Sequence, residues 1–372
     1  MKDPRHDRLS DLLVNYSCSL KPGEKVLIQA TDVPVEMIES LIAAVYKAGA
    51  FPVVDMRFSR IERSIQIGAT KESLEAICDS ELHRMKNMDA FIGIRGPANT
   101  KELSDVPSAL SQLYDTIVSE PVHSRVRVPH TKWVVLRYPT THMAMMAKMS
   151  TEAFENYFFN VTADVNYKKM SAAMDKAVEF MKKIDRVEIK GKGTDISFSI
   201  KGIGIIKCDG HRNIPDGEIY TAPVRNSVNG VITYNTPSTN HAFTFENVKL
   251  TFKDGKIVDA VSNDTKRINE VLDVDEGARY IGEFALGCNP YINSAIDEIL
   301  FDEKISGSFH FTPGNAYDAA DNGNRSALHW DLVCIQTPEY GGGEIYMDGE
   351  LIRKDGKFVH EAFLDLNPES LK

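Results

Sequence analysis

KPGEKVLIQA (residues 21–30) and FPVVDM (51–56) bracket the stretch whose reading decides the N-terminal fold. Pro22-Gly23 makes a turn, and Val26-Leu27-Ile28 is a continuous apolar run of strand length. Between the two runs, residues 34–48 carry Met37, Leu41, Ile42, Ala44 and Val45 at helical spacing, and Ala48-Gly49-Ala50 closes the helix. Strand, helix and strand in this order form a βαβ unit, which implies a parallel sheet. Outward from it, residues 5–20 and 71–86 read as helices and DAFIGIRG (89–96) as a third strand. A helix over 107–118 and WVVLRYP (133–139) continue the alternation. Gly93, Gly96 and Pro97 follow no GxGxxG or Walker spacing, so they are read as a turn and not as a phosphate loop.

Residues 150–184 read as helical throughout, with Met170, Met174, Val178 and Met181 forming one core-facing stripe. The texture then changes. RVEIKGKGTDISFSIKGIG (186–204) alternates at period two, and Asp-Gly pairs at 254–255, 348–349 and 355–356 mark hairpins. The expected fold is an α/β N-terminal domain with a parallel sheet (1–184) plus an α+β C-terminal domain with mainly antiparallel strands (185–372).

Composition narrows the function. The 372 residues carry a net charge of −10, which disfavours nucleic acid and anionic membrane surfaces as partners. Five dispersed cysteines with no CxxC pair fit free thiols in a reducing cytosol, not a disulfide framework or a zinc knuckle. The N-terminus lacks the apolar run of a signal peptide, and no 18-residue apolar stretch exists. A cytoplasmic location is expected. The chain is long enough to fold on its hydrophobic core, so a bound metal would be functional rather than structural.

The chemistry-bearing residues fall in four short segments: PDGEIYTAP (215–223), IGEFALGCNP (281–290), DEKISGSFHFTPGNAY (302–317) and LHWDLV (328–333). They supply Glu218, Glu283, Glu303, His310, Tyr317, His329 and Asp331. Carboxylates with imidazoles suit divalent transition metals, and so many donors suit two ions sharing a carboxylate. Glu283 carries the strongest signal, because a charge inside an apolar strand must be paired or metal-bound. In a strand-like HWD, His329 and Asp331 project to the same face, their Cβ atoms about 7 Å apart. His310 and Tyr317 flank Thr312-Pro313-Gly314, a turn able to fold them together, and Pro215-Asp216-Gly217 aims Glu218 into a cleft. Nine acidic residues between 270 and 304 are read as partly a solvated face and partly a field attracting cations.

Together these segments resemble the M29 family of metalloaminopeptidases, whose pattern runs PxGE[VI][FY]TAP, GExAL, DE(N/K)…H…G…Y and H[VW]D. KPGEKVLI, KAGAFPVV and YPT…MS (138–150) extend the resemblance through the N-terminal half. The spacing between Glu303 and His310 departs from the family's by two residues. The resemblance implies an aminopeptidase using two divalent ions, of zinc, cobalt or manganese. Their ligands would be Glu218, Glu283, His310, His329 and Asp331, with Glu283 bridging and Glu303 either a ligand or next to one. Tyr317 matches the family's active-site tyrosine, and Glu218 and Glu283 would serve catalysis through the ions. It also implies a homodimer acting on peptides with a free N-terminus. The competing readings are a metal-dependent lyase, deaminase or amidase on a small non-peptide substrate, and a non-catalytic member of the fold.

Overall fold

The computed structural model describes residues 3–240 and 243–372. The chain divides into two compact units, Met1–Ala163 with Gly210–Ile214, and Asp164–Asp209 with Pro215–Lys372. The division falls at 163/164, whereas the change of sequence texture lies near 184. The helix Tyr167–Met181 belongs to the second unit, and its Met170, Met174, Val178 and Met181 are buried, as a core stripe should be. Residues 150–184 are not one helix. Thr151–Thr162 ends at the Ala163 cap, and Asn166 starts a new helix by accepting a hydrogen bond from the Lys169 amide.

In the first unit a five-stranded sheet runs in the order 51–57, 25–31, 90–95, 132–137, 213–214. Every pairing in it is parallel. Lys25–Thr31 is buried at every position from Val26 on, as expected for an inner strand covered on both faces. Against this sheet the helix Lys71–Lys86 contributes Leu74, Cys78 and Met85 to a cluster with Leu27, Phe91, Val118 and Val122. The last strand, Asn213–Ile214, returns from far along the chain, and no local pattern announces it.

The second unit is built on antiparallel pairing. An eight-stranded sheet runs 256–261, 249–253, 229–233, 194–199, 186–191, 343–347, 350–354, 357–358. Its Asp-Gly turns behave as the sequence implies: Asp254 and Gly255, Asp348 and Gly349, and Asp355 and Gly356 all take positive φ, the type I′ requirement. A second sheet runs 333–335, 308–313, 281–287, 218–221, 206–208, antiparallel throughout. Phe284 and Phe311 of this sheet each meet Phe198 of the larger one with ring centroids 5.0 Å apart. One face of the smaller sheet is therefore apolar core. Period-two alternation sends the intervening residues to the opposite face, and that face carries the site. All five cysteines are free, and no helix among the described residues is long and apolar enough to cross a membrane.

Candidate metal centre

Strand register assembles most of the site. Glu218 pairs with Gly287, Ala285 with His310, and Glu283 with Thr312, so Glu218, Glu283 and His310 share one face of the sheet. The register shifts between Ile281 and Glu283, a bulge at Gly282. A Cβ on Gly282 would lie 2.2 Å from the Asn315 carbonyl oxygen and 2.4 Å from that of Gly314. Only glycine permits this approach, and the bulge places Glu283 opposite Thr312.

His329 and Asp331 do not lie in a regular strand. They precede Val333–Ile335, and a single bridge between Gly314 and His329 holds them, with the Trp330 amide donating to the Pro313 carbonyl. Extended backbone suffices for the expected convergence: the two side chains meet at 3.3 Å, His329 Nε2 to Asp331 Oδ1. Trp330 between them points the other way, its ring 5.0 Å from Phe245 and its Nε1 donating to Ser238 Oγ.

Donor atoms of Glu218, Glu283 and His310 lie within 4.8 Å of one another, and so do those of Glu283, His329 and Asp331. Glu283 belongs to both sets. Its Oε1 is 3.2 Å from His310 Nε2 and its Oε2 is 3.3 Å from His329 Nε2, so each oxygen faces a different imidazole. A third set joins Glu303, His310 and Asp331 at the same spacing. Six of the seven residues singled out from sequence are thus brought together. The seventh, Tyr317, stands at the rim, 47% exposed, its ring 4.6 Å from that of His329. Its hydroxyl makes no hydrogen bond with the described residues.

The donors fit divalent ions. Glu218 Oε2 is buried with no hydrogen-bond partner. His329 Nε2 lies 3.3 Å from both Glu283 and Asp331 yet meets neither in hydrogen-bonding geometry. His329 Nδ1 donates to the Asn315 carbonyl at 2.8 Å, which turns Nε2 toward the carboxylates, the orientation of a metal-ligating histidine. His310 lacks such a partner at Nδ1. Thr312 Oγ1 donates to Asp331 Oδ1 at 2.7 Å and orients that carboxylate.

The electrostatics show the same demand for positive charge. Burial pushes His310 and His329 down, but the surrounding carboxylates outweigh it and hold them up at about 9 and about 11. Burial pushes Glu283 up, and its contacts with the two imidazoles more than reverse the effect, leaving it below its ordinary value. Asp331 is likewise held low: burial is overcome by His329. Burial raises Glu303 to about 8 despite the neighbouring Lys304 ammonium. The field that favours protons on the imidazoles is the field that would draw divalent ions to the same atoms.

Sequence reasoning did not single out Lys304, Thr312 or Asn315. Lys304 is 1% exposed and its ammonium lies 2.6 Å from Glu218 Oε1 and 2.8 Å from Glu303 Oε1. Its position beside Glu303 in DEK was the available signal, but a lysine in an acidic stretch reads as a surface charge. Beside His329 and Asp331 opens a cavity of about 300 Å³, lined also by Thr236, Ser238, Asp297 and Trp330.

The profile described as thermophilic metalloprotease (M29) matches residues 2–358. The chain belongs to this M29 family. It is 23% identical over 362 residues to aminopeptidase AmpS of Bacillus subtilis, covering 87% of each chain. It is 23% identical over 395 residues to aminopeptidase T of Thermus thermophilus, covering 92% of this chain and 95% of that one. Among solved structures, wild-type AmpT of T. thermophilus superposes with a TM-score of 0.76 at 19% identity, covering 96% of this chain and 99% of that one. A 2,5-dihydroxypyridine dioxygenase of Pseudomonas putida KT2440 shares the fold at a TM-score of 0.61 and 11% identity, over 96% and 98% of the two chains. The M29 relationship makes the protein a metalloprotease. The dioxygenase shows that the fold by itself does not select a reaction.

Proposed function

We propose that this M29 protein is a metal-dependent aminopeptidase that removes the N-terminal residue of peptides with two divalent ions. The observation that carries the reading is Glu283, one carboxylate shared by two donor sets, with each oxygen facing a different histidine. Glu218, Glu283 and His310 would hold one ion and Glu283, His329 and Asp331 the other. Zinc, cobalt and manganese all suit such nitrogen and oxygen donors. Ions held there would supply an acidified water and a polarised scissile carbonyl.

The chain's own residues supply the rest. Asn315 keeps His329 in the tautomer whose Nε2 can ligate. Glu303, a carboxylate of the third donor set, would pass the water's proton to the leaving amine. Tyr317, its ring 4.6 Å from that of His329, would donate its hydroxyl to the developing oxyanion. The cavity beside His329 and Asp331 would receive the first residue of the substrate, with the free α-amine directed at the negative field of the cluster. The family resemblance adds a homodimer, which light scattering tests directly.

The deciding experiment is turnover of aminoacyl p-nitroanilides by the metal-loaded protein, beside the same compounds N-acetylated and a panel of small amides. Hydrolysis only of the free-amine series is expected. Cleavage of the acetylated series at equal rate, or turnover confined to non-peptide amides, would overturn the aminopeptidase reading.

A further inference from the structure

Among the described residues, Lys304 is the one lysine in the donor cluster, and it is sealed from solvent at 1% exposure. Its Nζ lies 2.6 Å from Glu218 Oε1, 2.8 Å from Glu303 Oε1 and 3.6 Å from Asp216 Oδ1. The backbone holds the residue rigidly: its amide donates to Phe301 at 3.0 Å and its carbonyl accepts from Asn289 at 2.9 Å. A buried ammonium is costly unless paired, and here three carboxylates surround it.

The contact divides the oxygens of Glu218. Oε1 is taken by Lys304, while Oε2 is buried, without a hydrogen bond, 3.5 Å from His310 Nε2. Lys304 thus restricts Glu218 to offering one oxygen to an ion. The same ammonium also holds Glu303 Oε1 at 2.8 Å, so one buried cation fixes two carboxylates of the donor sets.

We infer that Lys304 is a positioning residue of the metal centre: a built-in cation that orients Glu218 and Glu303 beside the ions. The inference rests on the ion-binding reading above and does not depend on the substrate. It predicts that the site needs an ammonium at this point whether or not it is tethered to the chain.

The test uses full-length protein stripped of ions and titrated with cobalt(II), followed by calorimetry and by the visible spectrum of the bound ion. K304A is expected to bind the Glu218-held ion roughly 10–100-fold more weakly, the usual cost of losing a partner of a metal ligand. Methylammonium, but not methanol, should restore both the affinity and the lost turnover. Folded K304A that binds two cobalt ions with wild-type affinity overturns the inference, as does a loss that methylammonium fails to restore. Should K304A not fold, K304Q decides, because its amide donates hydrogen bonds without charge: weakened cobalt binding supports the role, and wild-type binding overturns it. Wild-type protein that binds two cobalt ions but cleaves no aminoacyl substrate refutes the aminopeptidase reading alone. Wild-type protein that binds no cobalt overturns both.

Discussion

Glu283 and Tyr317 make separable demands on the chemistry. Glu283 is 3% exposed, and both its oxygens face imidazoles. Its replacement by Gln keeps the shape but removes the charge that two ions would share. E283Q should lose at least one ion and all measurable turnover, and metal analysis showing two ions with near-normal activity would reject the bridging role. Tyr317 has no ion to hold if the other donors suffice. Y317F should lower kcat by about 10²–10³-fold, the usual cost of losing one oxyanion donor, with ion content intact. An unchanged kcat would mean the ring only packs on His329; a lost ion would mean the phenol ligates. Glu283 was legible as a charge inside an apolar strand, and Tyr317 only through its match to the family's tyrosine. Lys304 was not, because burial of a lysine has no local signature.

At the scale of elements, two glycines separate strain from steric exclusion. Gly349 sits at φ +85° with nothing within 4 Å of an added Cβ. G349A should cost only the conformational penalty, about 1 kcal/mol, and leave activity alone. Gly282 sits where a Cβ would meet two carbonyl oxygens. G282A must displace the 314–315 turn, which carries the His329 partner, so it should weaken ion binding as well as lower stability. Matched thermal scans and metal analysis of the two variants check this, and equal behaviour would discount the bulge. In the first unit, the segment Asp115–Arg127 carries a titratable group of its own. Burial pushes His123 down to about 4, and Arg127, Arg57 and Arg95 push the same way. A depressed histidine favours folding above its unfolded value near 6.5, and that contribution is lost as pH falls toward 4. The loss should amount to about 1–3 kcal/mol between pH 7 and 4. Urea midpoints of wild type and H123Q against pH measure it, and parallel curves would show that His123 contributes nothing.

For the whole molecule, the folding and catalytic roles of the ions come apart. Each unit carries its own apolar core, from Leu27, Leu74 and Phe91 in the first to Phe198, Phe284 and Phe311 in the second. Chelation should therefore leave a folded but inactive protein whose circular dichroism is unchanged. Restoring the ions should raise the melting temperature by mass action, since they bind the folded site and not the open chain. Collapse of the dichroism on chelation would make the ions structural.

The sequence by itself determined the α/β alternation before residue 140, the antiparallel hairpins after 184 and six of the carboxylates and imidazoles that meet in the cluster. These follow from hydrophobic period, turn chemistry and residue type, all of them local. Only the tertiary structure decided what depends on distant segments meeting. The strand at 213–214 joins a sheet formed by the first 137 residues. The break at 163–166 interrupts a pattern that local propensity would have continued. The pairing of Glu283 opposite Thr312 rests on a bulge that a carbonyl-lined gap at Gly282 requires. Lys304 acquired its place because Asp216, Glu218 and Glu303 close around it. The pairing of a buried ammonium is a property of the assembled volume, and no stretch of chain states it alone.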